Sequence, residues 1–145
     1  MPSASDILQT KGSQIHCTDP SATVFQATQK MNQHKLGALV VMKNGRIAGM
    51  FTERDVLRRV VGEMRNPTEV TVGEVMTTDV ICCRPETDID EVGQLMRQRR
   101  IRHVPVCDTG GTPLGLISIG DLNAFYQSQQ ESTILMLNDY IYGRA

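Results

Sequence analysis

Apolar positions along the chain fall into two alternating rhythms that then start again. Val24, Ala27, Thr28 and Met31 keep helical spacing, and Ile89, Val92, Leu95 and Met96 repeat it further on. A continuous apolar run follows each, Ala38 to Met42 and Val104 to Cys107. A turn then separates it from a second run, Ile47 to Phe51 and Leu114 to Ile117. Runs this short on either side of a glycine turn predict β-hairpins. Helical spacing returns from Glu53 through Val56, Leu57, Val60 and Val61, and from Gly120 through Leu122 and Phe125. Extended segments at Gln14 to Thr18 and Asp79 to Cys83 each lead to a proline, and the helices beyond are expected to start near Ser21 and Thr87. Thr87 followed by Asp90 has the form of a capping box. The fold class is therefore α+β, as two tandem β-α-β-β-α repeats.

The copies can be laid over one another residue by residue. Pro20 falls on Pro85, Val24 on Ile89, Met31 on Met96, Leu36 on Ile101 and Val41 on Val106, at one offset that also takes Cys17 to Cys82. Past the turn the offset grows by one residue: Gly45 falls on Gly111, Gly49 on Gly115, Thr52 on Ser118 and Asp55 on Asp121. The longer second turn, Asp108 to Pro113, accounts for the step. The expected organisation is a first repeat with a lead-in helix over 1–64, a breaker-rich linker over 65–71, a second repeat over 72–130 and a C-terminal helix or tail over 131–145. Val72 to Met76 resembles the Ser5 to Leu8 segment ahead of the first copy. In the tail, Ile134, Leu135, Leu137, Tyr140 and Ile141 share one helix face, to be packed on the chain's own domain or on a second subunit.

Composition narrows the reading. A chain of 145 residues can bury a full core without staples. Fifteen basic and 16 acidic side chains leave a net charge of −1, which removes the bulk electrostatic case for wrapping nucleic acid or binding an anionic membrane. The longest apolar run, Leu36 to Met42, is strand-sized, and the first residues carry no charged-then-apolar leader. The four cysteines form no C-x-x-C pair and are read as reduced, so a cytoplasmic protein is expected. Cys17 and Cys82 are taken as matched core positions, which leaves Cys83 exposed and oxidisable, because neighbours on a strand face opposite ways. His16 and His34 have no ligand partners at useful spacing, and no metal is expected. No nucleophile–base spacing or phosphate loop points to an enzyme. The run Arg97 to Arg102 reads first as a solvated helix end. Its sharper alternatives are nucleotide phosphates or a nucleic-acid backbone, the latter poor without interleaved aromatics.

The segment Leu39-Val40-Val41 through Gly45 to Thr52-Glu53-Arg54-Asp55, and its counterpart Val104-Pro105-Val106 through Gly111 to Ser118-Ile119-Gly120-Asp121, resemble the core of the CBS motif. Two in tandem look like a Bateman module covering about residues 7 to 130. The resemblance implies two small sheets related by a pseudo-twofold axis, two clefts for adenine nucleotides, a disc-shaped homodimer, no catalytic activity and an unidentified protein target. One cleft would hold Ser118 and Asp121 with Ser13, Ile15, Leu36, Gly37 and Ala38. The other would hold Thr52, Arg54 and Asp55 with Asp79, Val80, Ile101, Arg102 and His103. A carboxylate just inside a helix can accept both ribose hydroxyls, and a hydroxyl beside free first-turn N–H groups can hold a phosphate. Arg54 can pair with phosphate oxygens, whereas the second copy has Gly120 there, so the clefts are unequal. AMP is the first choice of ligand, with ADP, ATP or NAD close behind at Asp55. Thr52 with Asp55, and Ser118 with Asp121, can also be simple helix caps. The alternatives of another class are a nucleic-acid-binding protein using Arg97 to Arg102 and a ligand-independent protein-binding scaffold.

Overall fold

Thr23 ends an extended stretch and accepts the N–H of Gln26 at 3.0 Å, while the Gln26 side chain accepts the Thr23 N–H at 3.0 Å, and this reciprocal cap starts the first long helix. The computed structural model describes residues 1–142, without the side chains of Ser132, Thr133 and 138–142. The order is α1 (Ala4–Lys11), β1 (Cys17–Thr18), α2 (Val24–His34), β2 (Ala38–Lys43), β3 (Arg46–Thr52), α3 (Glu53–Asp55), α4 (Val72–Val75), α5 (Ile89–Arg99), β4 (His103–Cys107), β5 (Pro113–Ser118) and α6 (Ile119–Tyr142). α3 runs on as a π-helical stretch, Val56–Val61.

α2 and α5 begin later than the spacing suggests. Ser21 is spent on Asp19, so α2 waits for Thr23. The capping box expected at Thr87 does not form. Thr87 closes the preceding turn by accepting the Arg84 N–H at 2.9 Å, and Asp88 caps α5 through the Asp90 N–H at 3.0 Å. Each helix ends on a non-glycine residue in the left-handed region, Lys35 (φ 56°) and Arg100 (φ 54°). The next N–H then turns back, from Leu36 to Met31 and from Ile101 to Met96.

The antiparallel pairs β2–β3 and β4–β5 carry matching irregularities, after Val41 and after Val106. β1 adds a parallel strand to the first pair through Cys17↔Val40 and Thr18↔Val41, whereas the second pair gains only a single bridge, Cys83↔Val106. This register corrects the reading of the cysteines. Cys83 lies against the sheet and is buried, Cys82 is exposed, and Cys17 is half-buried. The alignment itself holds, since Cys83↔Val106 repeats Thr18↔Val41 at the offset that takes Cys17 to Cys82; it is the burial of the two neighbours that is reversed.

The copies exchange their lead-in segments. Val70, Val72 and Val75 pack with Val24, Met31, Leu39 and Phe51 in the core of the first copy. Ala4, Ile7 and Leu8 pack with Ile89, Val92, Val104 and Ile117 in the core of the second. A third cluster joins the sheets: Ala38, Val40 and Met50, with Ile15, Cys17, Val80 and Leu116 against them. β2 is thus buried on both faces, which explains its uninterrupted apolar run. The crossing is close. A Cβ on Gly49 would lie 2.8 Å from Met76 Sδ, and one on Gly115 would lie 2.5 Å from Leu8 Cδ2, so both strands need glycine where the other copy's helix lands. At the tail, Ile134, Leu135 and Leu137 are exposed, so packing on the chain's own domain does not occur there; Tyr140 and Ile141 fall on side chains outside those described.

Candidate functional site: a basic cleft at Asp55

At the end of each hairpin the chain passes directly into a helix, and the aspartate of that first turn folds back on the strand. Asp55 Oδ2 accepts the Thr52 N–H at 2.9 Å and Asp121 Oδ2 accepts the Ser118 N–H at 2.8 Å, so the capping reading of both pairs is realised. What else reaches each carboxylate differs. Thr77, from the exchanged lead-in, donates its hydroxyl to Asp55 Oδ1 at 3.1 Å, and Arg59 Nε stands 3.9 Å from the same oxygen. Asp55 is 5% exposed, the one charged residue buried in the core among those described. Asp121 is met instead by the Lys11 ammonium, 2.7 Å from Oδ2. Burial alone would raise the Asp121 carboxyl. The Lys11 and Ser118 hydrogen bonds and the Lys11 charge outweigh it, holding the carboxyl below its ordinary value.

A cleft of about 1160 Å³ opens on the Asp55 side. Of the residues expected there, Thr52, Arg54, Asp55, Ile101, Arg102 and His103 line it. Asp79 and Val80 are not in its lining; Val80 belongs to the core between the sheets and Asp79 points to solvent. Leu36 and Gly37, assigned to the Asp121 cleft from the sequence, line the Asp55 cleft instead. Ser118, Asp121, Ser13, Ile15 and Ala38 lie outside it; Ile15 and Ala38 are part of the inter-sheet core, and Ser13 is exposed. Gly37 explains the placement: a Cβ there would sit 2.5 Å from Glu53 Oε1 and 3.3 Å from His103 Nε2, so the two copies close on one another at this point.

The lining also holds cations that the sequence reading does not assign to this cleft, Arg100 among them although its run is offered to nucleotide phosphates. Lys35, Arg58, Arg59 and Arg100 join Arg54 and Arg102, making six cations around two acids, Glu53 and Asp55. The signal was present in the spacing: Arg54 and Arg58 are one turn apart on the helix that carries Asp55. Arg54 Nη1 donates to the Arg100 carbonyl at 2.8 Å, tying the first copy to the end of α5 in the second. That carbonyl is one of the orphans at a helix C-terminus, so the contact meets a need of the fold. The π-helical stretch lines the cleft with Val56, Leu57, Arg58, Arg59 and Val61; such stretches are frequent at functional sites. Burial pushes the His103 imidazole below its ordinary value; Glu53 and Asp121 oppose the shift, and Lys11 and Arg102 add to it. Away from the cleft, the His16 and His34 rings stack with centroids 4.0 Å apart, a pairing the sequence does not suggest.

Comparison with known proteins agrees with this architecture. The family model for the CBS domain matches twice, over residues 4–62 and 72–127. The chain is 38% identical over 149 aligned residues to the CBS domain-containing protein CBSX3, mitochondrial, of Arabidopsis thaliana, covering 96% of this chain and 71% of that one. It is 30% identical to the CBS domain-containing protein YhcV of Bacillus subtilis, covering 92% of this chain and 94% of the relative. Among solved structures, a CBS-domain containing protein from Agrobacterium tumefaciens superposes with a TM-score of 0.81 at 32% identity, over 86% of this chain and 99% of the other.

Proposed function

The chain belongs to the CBS-domain family as a tandem pair, and on that premise we propose that it is a non-catalytic regulatory protein whose Asp55 cleft binds an adenine nucleotide. The observation that carries this reading is the charge around the cleft, with six Lys and Arg side chains against two carboxylates on a chain whose net charge is −1. The basic residues gather where a polyanion would sit. That concentration also revises the order of ligands. A single phosphate needs only Thr52 and the first-turn N–H groups, whereas Arg54, Arg58, Arg59, Arg100 and Arg102 suit two or more. ATP or ADP therefore precedes AMP, and NAD shares the adenosine half. Asp55 receives the ribose by exchanging the neutral Thr77 hydroxyl for a ligand hydroxyl, and the apolar wall of Leu36 and Ile101 takes the base. Part of the Arg97 to Arg102 run, Arg100 and Arg102, turns into this cleft, which favours a small phosphate ligand over a nucleic-acid backbone.

A nucleotide bridging α3 and the β4 entrance favours the arrangement in which the copies are closed together, and a protein target reads the population of that state. We place the protein in the cytoplasm, as a homodimer. The name of the plant relative puts that protein in the mitochondrion, a compartment equally compatible with reduced cysteines. Calorimetric titration with AMP, ADP, ATP, NAD and GTP at two salt concentrations tests the reading. ATP is expected to bind about tenfold more tightly than AMP, by an interval that shrinks as salt rises, with GTP silent and binding abolished by Asp55→Ala. GTP binding as tight as ATP, or retention of binding in the Asp55→Ala variant, would refute it.

A further inference from the structure

The lead-in segments of the two copies start alike and end differently. α1 and α4 open on equivalent caps, Ser3 with Asp6 and Thr71 with Glu74. Each then sets a side chain on a glycine of the opposite hairpin, Leu8 on Gly115 and Met76 on Gly49. After Met76 the helix has stopped, and Thr77 pairs backbone to backbone with Met50, N–H to carbonyl at 2.9 and 2.8 Å. After Leu8, α1 runs on to Lys11. No backbone of this segment reaches Leu116, which holds the place of Met50 in its hairpin. Its carbonyl is taken instead by Lys11 Nζ at 2.7 Å, and the same ammonium lies 2.7 Å from Asp121 Oδ2.

The extra turn therefore bonds an ammonium directly to Asp121, whereas the lead-in's hydrogen-bond donor to Asp55 is the neutral Thr77 hydroxyl. The Arg59 guanidinium is 3.9 Å from Asp55, beyond hydrogen-bond distance, and donates to the Val75 and Met76 carbonyls. We propose that Lys11 is an internal occupant of the Asp121 cleft, standing where a ligand's hydroxyls would bind, and that it makes the chain a receptor with one open adenine-nucleotide site. The inference rests on the adenine-nucleotide reading of the previous section. A ribose can replace Thr77 on Asp55 by exchanging one neutral donor for another. On Asp121 it must break a charge-assisted bond 2.7 Å long, and it must also strip the Leu116 carbonyl of its donor. Gly120 adds no cation to compensate, where the first copy has Arg54. Charge inside the cleft, and not the shape of the motif, separates two sequences that look equivalent.

Lys11→Ala on the full chain tests this, with Lys11→Arg as the charge-retaining control; alanine is a good helix former, so α1 is kept. Calorimetry with ATP should count one site in the parent and in Lys11→Arg, and two in Lys11→Ala, with the affinity of the first site unchanged within about twofold. Equal stoichiometry in all three chains would overturn the closure while leaving the nucleotide reading intact. Carbon-detected titration of the Asp121 carboxyl gives a readout that needs no ligand. Removing the ammonium should move its midpoint up in Lys11→Ala and not in Lys11→Arg. If none of the chains binds ATP, AMP or NAD, the nucleotide reading has failed. In that case an Asp121 midpoint that moves keeps Lys11 as the occupant of the cleft, and one that stays overturns it.

Discussion

His103 lines the Asp55 cleft and feels charges from both copies, Glu53, Lys11, Asp121 and Arg102. Its depressed imidazole makes it a source of pH-dependent stability. The unfolded chain takes up this proton near the ordinary value of 6.5, and the folded chain only at lower pH. The stabilisation is therefore complete above about pH 6.5 and is lost as pH falls toward the folded value. Denaturant unfolding at pH 7.5 and 5.5 should show the parent losing stability on acidification, and His103→Gln losing less. The residue of the effect belongs to His16, which burial, His34 and Lys30 also push down. An identical loss in both chains would place the sensitivity elsewhere. Arg54 gives a second prediction at this scale. Its bond to Arg100 is with a carbonyl, so Arg54→Ala should weaken ATP about tenfold and AMP less, a selectivity loss that a purely structural role would not produce.

Between elements, the decisive contacts are those made by the exchanged lead-ins. Gly115 meets Leu8 more closely than a Cβ allows, and the neighbouring atoms belong to a side chain held in the core. Gly115→Val should cost about 1–3 kcal/mol by overpacking, read as a lower midpoint in urea with the slope unchanged. A neutral effect would mean that α1 swings away from β5. The periodicities announced α2, α5 and the hairpins, because a single buried face leaves a regular trace in the chain. Cap placement was less legible. Ser21 and Thr87 are as good caps in isolation as Thr23 and Asp88, and only the turns ahead of the helices, built on Asp19 and Arg84, spend them first. The cysteines were misplaced for a related reason. A single bridge at Cys83 fixes which neighbour faces the sheet, and a bridge leaves no rhythm to read.

Taken whole, the molecule is two half-cores each completed by the other half of the chain. The first copy's core includes Val70, Val72 and Val75, which follow it in sequence. A fragment of residues 1–64 thus lacks those side chains and carries Ala4, Ile7 and Leu8 with nothing to cover them. Its amide spectrum should be poorly dispersed, while mixing it with 65–145 should restore native dispersion; a folded 1–64 alone would show that the exchange is dispensable. The duplication itself, the α+β class and the two aspartates at helix starts follow from the sequence, because each depends on local pattern repeated in register. The different surroundings of the two aspartates do not. Lys11 lies over a hundred positions from Asp121, Thr77 pairs with Asp55 from the other copy, and Leu36 and Gly37 line the cleft opposite to the one assigned to them. Those contacts arise only when the lead-ins cross, since a hydrogen bond depends on where two groups come to rest in space and leaves no mark on the spacing of either segment.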